Sequence, residues 1–390
     1  MKVSIGLSRK WDAYEAGREV AKDALDKLGT SPDFLLLFST IHYKDHGGFK
    51  EFLRGVWDIL PEGTPLIGGT VTGFIIPRGC YARGATALAV SYEKMNVAIG
   101  YGTETKRNPE KAAENCARMI KKHMDKSTYK SRFLFNFISG PVTFKMPGLG
   151  REDEIFEKMA KKFQEYKMVL GTSMDDKGFT NYQFFGNKVL SNSIVSLGIA
   201  TDMNVEVSTT HGMKKSRISF EITKTTREGY IIEEINGKPA GPELYRILNW
   251  PKNFLKEGTI HKILYYPLLL RKGDKEIPTV ISLMLKNYII TPYKVNKGRV
   301  WVLKVSGKSI IDAVKRSVKN KNPEFGLFLT CVTILEALGH NADKIRDVLK
   351  KHFKDRPFIM LFCAGEGSYS KKSGIKYANM SYNVALFEKK

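Results

Sequence analysis

The residues best suited to chemistry in this chain stand on or beside glycine. Glu366 lies between Gly365 and Gly367. Glycine lets another group approach the backbone and leaves neighbouring N–H groups open. With the glutamate adding a charge, such a turn can hold a zwitterion or an amine. Asp175 and Asp176 follow Gly171-Thr172-Ser173. Two carboxylates there can bind a cation or accept from a ligand amine, or bond nearby backbone N–H groups as ordinary turn residues. Gly68-Gly69-Thr70, with Gly73 beyond, offers bare backbone and a hydroxyl suited to a carboxylate. His42, Asp45 and His46 share a polar loop, but at no known zinc spacing, and an ordinary exposed loop is the preferred reading. Cys331 or Cys363 would serve as a nucleophile if the fold brought a histidine close. Both sit in apolar runs, where a structural cysteine is commoner. The chain has no His-Glu-x-x-His, phosphate loop or Gly-x-Ser-x-Gly, so no catalytic residue, metal site or cofactor is assigned.

Three similar constructions position these turns. In the first, the strand Asp33–Ser39 and the amphipathic segment Phe49–Leu60 lead to Leu66–Phe74 (LIGGTVTGF). In the second, Arg132–Ser139 and Asp153–Tyr166 lead to Val169–Asp176. In the third, Phe325–Thr330 and Asn341–Phe353 lead to Leu361–Ser368. Each extends upstream into a strand and a helix: Val3–Ser8 with Trp11–Leu28, Asn96–Gly102 with Pro109–Met124, and Val300–Ser306 with Ser309–Val318. The spacing of Ala13, Ala16, Val20, Ala24 and Leu28 predicts one buried helix face, ended by Gly29. Ala85–Ser91 and Asn96–Gly102 read as paired strands, as do Ser193–Ala200 and Val205–Thr210. Asn181–Leu190 reads as a hairpin with Gly186-Asn187 at its tip. Near Thr226 the pattern breaks. Glu228–Leu248 then reads as a strand, an Asn236-Gly237 turn and a helix.

These patterns predict a mixed α/β (α+β) protein. Pseudo-repeated strand-helix-strand-helix-strand units form sheets covered by helices. The two halves divide as residues 1–225, with two repeats, and 226–390, with a strand-rich insert and the third repeat. The chain of 390 residues is long enough for a substantial core. No apolar run reaches the ~18 residues of a membrane span, and the start is not a secretory signal. The expectation is a cytoplasmic protein with no membrane partner. Net charge is +23, which attracts polyanions. The lysines fall in scattered doublets, however, and read as a solvated surface. Nucleic-acid binding, if seen, should be weak, sequence-blind and lost at moderate salt.

The order AGREVAKDAL, IGGTVTG, GTSMDDKGF with FFGNKV, INGKPAGPELY and GEGSYS…YANMSYNVAL resembles the FIST family, in its pairing of an N-terminal with a C-terminal domain. Gly68, Gly69, Thr70 and Gly73 match the first turn; Asp175 and Asp176 match the second. Asn236, Gly237, Pro239, Ala240 and Tyr245 match the start of the C-terminal domain; Glu366 and Asn379 match its end, with Ser381 in place of a threonine. One departure stands out. Cys331 is followed by Val332-Thr333-Ile334, where the family often has a glycine and an arginine. The resemblance implies a small-ligand sensory module with amino acids as ligands. Its output would pass through a separate signalling protein, since no kinase, cyclase or methyl-accepting region accompanies the pair. Equivalent turns of the repeats should sit at equivalent sheet ends, so Gly68–Gly73 or Gly171–Asp176 should meet Gly365–Ser368 in a crevice between the halves, with Gly68, Gly69, Thr70, Gly73, Gly171, Asp175, Asp176, Gly365, Glu366 and Asn379 as the expected ligand contacts. An enzyme working in a cleft between the halves and a non-specific nucleic-acid binder are the alternatives.

Overall fold

The computed structural model describes residues 1–142, 151–175, 180–226, 228–251, 263, 265–272 and 275–389. The first repeat runs from the strand Lys2–Ser8 through the helix Ala13–Leu28, the strand Phe34–Ser39, the helix Phe49–Trp57 and the strand Leu66–Thr70. It closes with the hairpin Gly73–Ile76/Gly79–Tyr81 and the strand Ala85–Ser91. The first helix begins where the Asp12 carboxylate accepts the Glu15 N–H, and ends at Gly29, whose φ of 65° is left-handed. Its predicted face is buried. The second repeat repeats the order with Met95–Thr103, Pro109–Met124, Ser131–Ser139, Glu152–Lys162, Lys167–Ser173, the hairpin Gln183–Phe185/Lys188–Leu190, and Ser193–Thr201.

The third repeat is interrupted. Its first strand is Asn204–His211, and its first helix, Gly307–Val318, comes only after an insert. Phe325–Cys331, Asp343–Phe353, Phe358–Cys363, the hairpin Glu366–Ser370/Gly374–Tyr377 and Ser381–Glu388 complete it. The expected first strand, Val300–Ser306, belongs elsewhere: Gly298–Lys304 lies in the insert's own sheet, against Lys214–Thr225 and Leu268–Lys272. The strand Asn204–His211 pairs with Ser381–Glu388, so segments on both sides of residue 226 build the third sheet.

The expected pairing of Ala85–Ser91 with Asn96–Gly102 does not form. Ala85–Ser91 closes the first sheet between Lys2–Ser8 and Phe34–Ser39. Met95–Thr103 opens the second, beside Ser193–Thr201. The short link between them turns a corner from one sheet to the next. In each repeat the second and third strands are parallel neighbours. Both faces of these strands are covered, which is why they read as unbroken apolar runs.

The hairpins are exchanged cyclically. That of the second repeat adds to the first sheet, that of the third to the second sheet, and that of the first to the third. The inner faces share one core, with Phe38, Phe135, Phe137, Leu329, Leu361 and Phe387 among its members. Helices cover each outer face with a separate apolar layer. The insert has its own sheet and its own small core.

Candidate functional site

The three glycine segments meet at one end of the sheets. The Thr72 N–H donates to the Phe362 carbonyl at 3.2 Å, the Met174 N–H to Thr70 at 3.2 Å, and the Ala364 N–H to Thr172 at 3.3 Å. These bonds pass from repeat to repeat and close a ring. Thr172 and Gly365 exchange further bonds: the Gly365 N–H reaches Thr172 Oγ1 at 2.6 Å, and the Thr172 N–H reaches the Gly365 carbonyl at 3.0 Å. Glu366 sits beside Gly171 across the exchanged hairpin.

The glycines are not bare turns. Leu66–Thr70 is a strand through its whole length, and Gly68 and Gly69 are enclosed by backbone on both sides. A Cβ on Gly68 would lie 1.7 Å from the Leu37 carbonyl oxygen, and one on Gly69 would lie 2.3 Å from that of Tyr182. Thr70 is committed as well, its N–H donating to Tyr182 and its hydroxyl accepting the Tyr182 N–H. Gly73 pairs with Phe362, and Gly171 with Phe137 and Glu366. The open N–H groups expected there for a ligand carboxylate are thus consumed by strand pairing. Asp175 is buried; Oδ2 accepts the Thr180 N–H, while Oδ1 has no partner among the described residues. Asp176 lies outside the described residues, as does most of the Ser139–Gly150 loop.

Glu366 was expected in a surface crevice. It is instead fully buried, at 0% exposure. Oε1 accepts the Ser381 N–H at 3.4 Å, and Oε2 has no partner among the described residues. Burial drives its pKa well above the ordinary carboxyl value, with the Ser381 bonds opposing, which favours the protonated acid.

The second repeat explains the geometry. Gln183 and Glu366 each open an exchanged hairpin, opposite Gly69 and Gly171. Gln183 Oε1 accepts the Ser193 N–H, as Glu366 Oε1 accepts that of Ser381. Gln183 Nε2 donates to Ser173 Oγ at 2.6 Å and Asn181 Oδ1 at 3.2 Å. Ser139 and Ser173 are register partners; so are Cys331 and Cys363. A satisfied amide between serines in one repeat becomes a carboxyl beside thiols in another.

Around Glu366 lie groups from three elements. Tyr293 comes from the insert, buried, its hydroxyl without a partner among the described residues. Its pKa is raised by burial and then by Glu366, Glu152, Cys331 and Asp153, which places all four within electrostatic reach. The Tyr377 hydroxyl donates to the Asp153 carbonyl at 2.8 Å, and its ring stands 5.7 Å from that of Tyr293. The Asp153 carboxyl is buried without an ion pair among the described residues, and burial, then neighbouring Glu152, lifts it to about 6. Glu152 is paired: Lys106 Nζ lies 3.4 Å from its carboxylate and donates to the Ser139 carbonyl at 3.0 Å. Asn379 Oδ1 accepts from Thr279 Oγ1 and the Val280 N–H, tying the insert to this end of the third sheet, and its Nδ2 has no partner among the described residues. Met380, next in sequence, is buried at a φ of 52°, a strained setting of the kind found at functional sites.

A cleft of about 490 Å³ opens beside this centre, with Thr209, His211, Glu276, Lys376, Tyr377 and Ala378 in its lining. Thr209 Oγ1 donates to Asn383 Oδ1 at 2.6 Å, and Asn383 Nδ2 to Ser381 Oγ at 2.8 Å. A polar chain therefore links the cleft to the residue that holds Glu366.

Both thiols near Glu366 are buried. Burial and then Glu366 push Cys331 up to about 12 and Cys363 well above its ordinary value, so neither is a ready nucleophile. His42 packs beside Tyr43 and near Trp11, its Nδ1 2.8 Å from Thr40 Oγ1. Among the described residues, no three His, Cys, Asp or Glu side chains stand together where they could hold a metal ion.

Of the residues gathered here, Glu366 and Asn379 were singled out in the sequence; Lys106, Asp153, Tyr293 and Tyr377 were not. The acidic start of Glu152–Lys162 was the one available signal, and it reads equally well as a favourable helix terminus. The Lys106–Glu152 pair is buried on both sides. Lys106→Met should cost about 3–5 kcal/mol in urea unfolding, because Glu152 is left buried without its cation.

An α+β scaffold of repeated sheets, with unsatisfied polar groups at a shared strand end, has the build of a ligand-recognising module. The chain belongs to the FIST family: a model of the FIST N domain matches residues 33–238. FIST domains are sensory, ligand-binding domains of signal transduction. No curated protein matches the chain.

Proposed function

We propose that this chain is a cytoplasmic sensory module that binds a small, amino-acid-like ligand through its ammonium group at the Glu366 centre, and hands the signal to a separate output protein. The observation that carries the reading is the buried Glu366 carboxyl, whose Oε2 has no partner among the described residues. Leaving such a group unsatisfied costs about 1–3 kcal/mol, and a ligand donor would recover it. Asp153 supplies a second buried carboxyl, with no ion pair among the described residues. Tyr293 and Tyr377 supply rings, whose faces attract ammonium groups. Gly68, Gly69, Thr70, Gly73, Gly171 and Gly365 serve in this reading as the close-packed frame, and Asn379 as the clamp that seats the insert over the site. The insert also carries Tyr265, Leu285 and Tyr288 exposed.

An ammonium ion arriving beside two raised carboxyls pulls them back to the charged form. Binding near neutral pH should therefore release protons. Thermal unfolding against the common amino acids and small primary amines should find a compound that raises the Tm. Calorimetry of that compound in two buffers of different ionisation enthalpy should show about one proton released, the ionisation linkage expected here. If no amine shifts the Tm, or if the bound compound releases no proton, the reading fails. Tyr293→Phe should weaken binding roughly five- to tenfold with little change in Tm, as loss of one hydrogen bond predicts.

A further inference from the structure

We propose that the insert carries a second, independent site: a platform for single-stranded nucleic acid centred on Trp301. Trp301 lies in the strand Gly298–Lys304, opposite Ser219 on one side and Leu269 on the other. It is half-buried, packed against the apolar layer that covers the third sheet. Three cations crowd its ring: Lys215 Nζ is 3.6 Å from the centroid, with the guanidinium carbons of Arg271 and Arg299 at 5.4 and 5.6 Å. A groove of about 480 Å³ runs alongside, lined by Arg271, Asn296, Lys297, Arg299 and Trp301 among others, with no carboxylate among the described residues of its lining.

Charge bookkeeping separates this surface from the rest of the lysine-rich exterior. Residues 214–304 hold eighteen Lys and Arg against eight Asp and Glu, a net +10 out of +23 in under a quarter of the chain. Glu276 pairs with Lys215 at 3.5 Å and with Arg271 at 3.9 Å. Arg299 donates to Ser219 Oγ at 3.3 and 3.0 Å and has no carboxylate partner among the described residues; neither has the exposed Lys297. The groove thus keeps uncompensated positive charge beside an aromatic face.

That combination fits a strand whose bases are free. Phosphates take the guanidinium and ammonium groups, while one base stacks on Trp301 in place of Lys215, which turns to a phosphate. Every base has a π-face, so such a site selects single strands without reading sequence. A duplex hides its base faces and offers charge alone.

A fluorescently labelled ten-nucleotide oligothymidylate, titrated with the full chain at 50 mM salt, tests this. Binding should be measurable by anisotropy and should weaken with salt at a log–log slope of roughly −2, for about three phosphates neutralised. Trp301→Ala should weaken it at least about fivefold with the slope unchanged, and Trp301→Phe should retain most of the affinity. Should Trp301→Ala fail to fold, the double substitution of exposed Lys297 and Arg299 by alanine decides the case: it should flatten the slope by about 1.4. No binding at 50 mM salt would overturn the proposal. So would wild-type affinity in Trp301→Ala, or heparin or a ten-base-pair duplex competing as well as the single strand.

Discussion

Glu366→Gln should stabilise the protein above pH 5 while costing it about tenfold or more in ligand affinity. The unfolded chain's glutamate loses its proton near an ordinary value of about 4.3. In the native state burial holds that proton to higher pH. Above the unfolded value the unfolded chain therefore binds fewer protons than the native one. Stability then falls as pH rises, by about 1.4 kcal/mol per pH unit, until the native pKa is passed. Below both values the residue contributes no slope. Glutamine has no proton to lose. The difference in unfolding free energy between variant and wild type should accordingly grow in the variant's favour between pH 5 and 7. Taking this difference cancels other groups, Asp153 among them. Gln183 shows that an amide fits this setting, with Oε1 on the Ser193 N–H and Nε2 on Ser173. At position 366 the Nε2 meets thiols, which accept weakly, so the gain is set by the lost charge rather than by new bonds. The affinity loss follows from replacing a charge-assisted bond to an ammonium by a neutral one. Urea melts across pH, with calorimetry on the amine found by thermal shift, check both halves. A flat difference across pH would show that Glu366 is ionised in the native state. Unchanged affinity with a lowered Tm would make it a structural residue, with the ligand bound elsewhere.

Much of the scaffold was legible because its signals are local. The first helix announces itself through Gly29 and an apolar stripe, and both act as the sequence suggests; its Asp12 cap emerges only in the structure. The hairpin around Gly186-Asn187 and the Asn236-Gly237 turn are likewise written in adjacent residues; Gly186, Asn236 and Gly237 all adopt positive φ. What stayed hidden depends on partners far along the chain. Nothing in Gln183–Phe185 says that it pairs with Leu66–Thr70 of another repeat. The insert misled for the same reason. An apolar strand just before a helix looks like the opening of a repeat, yet the true opening strand lies on the far side of residues 214–304. Glu366 was legible as unusual through its flanking glycines, but its burial was not. The groups that enclose it, Tyr293 from the insert and Asp153 from the second repeat, carry no pattern linking them to it. Glycine pairs were read as open backbone, when close packing explains them better.

Gly68→Ala tests that last point and should be among the most damaging single-methyl changes in the chain. The added Cβ falls 1.7 Å from the Leu37 carbonyl oxygen and 2.6 Å from its carbonyl carbon. No side chain can swing aside to relieve a clash with backbone. Leu37 itself cannot retreat, because its strand is paired on the other side with Ala85–Ser91. Gly68 cannot retreat either, because Phe184 pairs with it across the exchanged hairpin. The strand must shift as a whole, straining the Thr70–Tyr182 and Met174–Thr70 bonds that join the first repeat to the second. We expect a loss of about 4 kcal/mol or more, in the range reserved for core strain. Gly63 is the control. It has a positive φ of 79° but nothing within 4 Å of an added Cβ, so Gly63→Ala should cost only about 1–2 kcal/mol, the left-handed penalty alone. Urea unfolding of both variants separates the two causes. If Gly68→Ala proves as mild as Gly63→Ala, the strands do not approach so closely, and the glycine pair is free backbone able to meet a ligand.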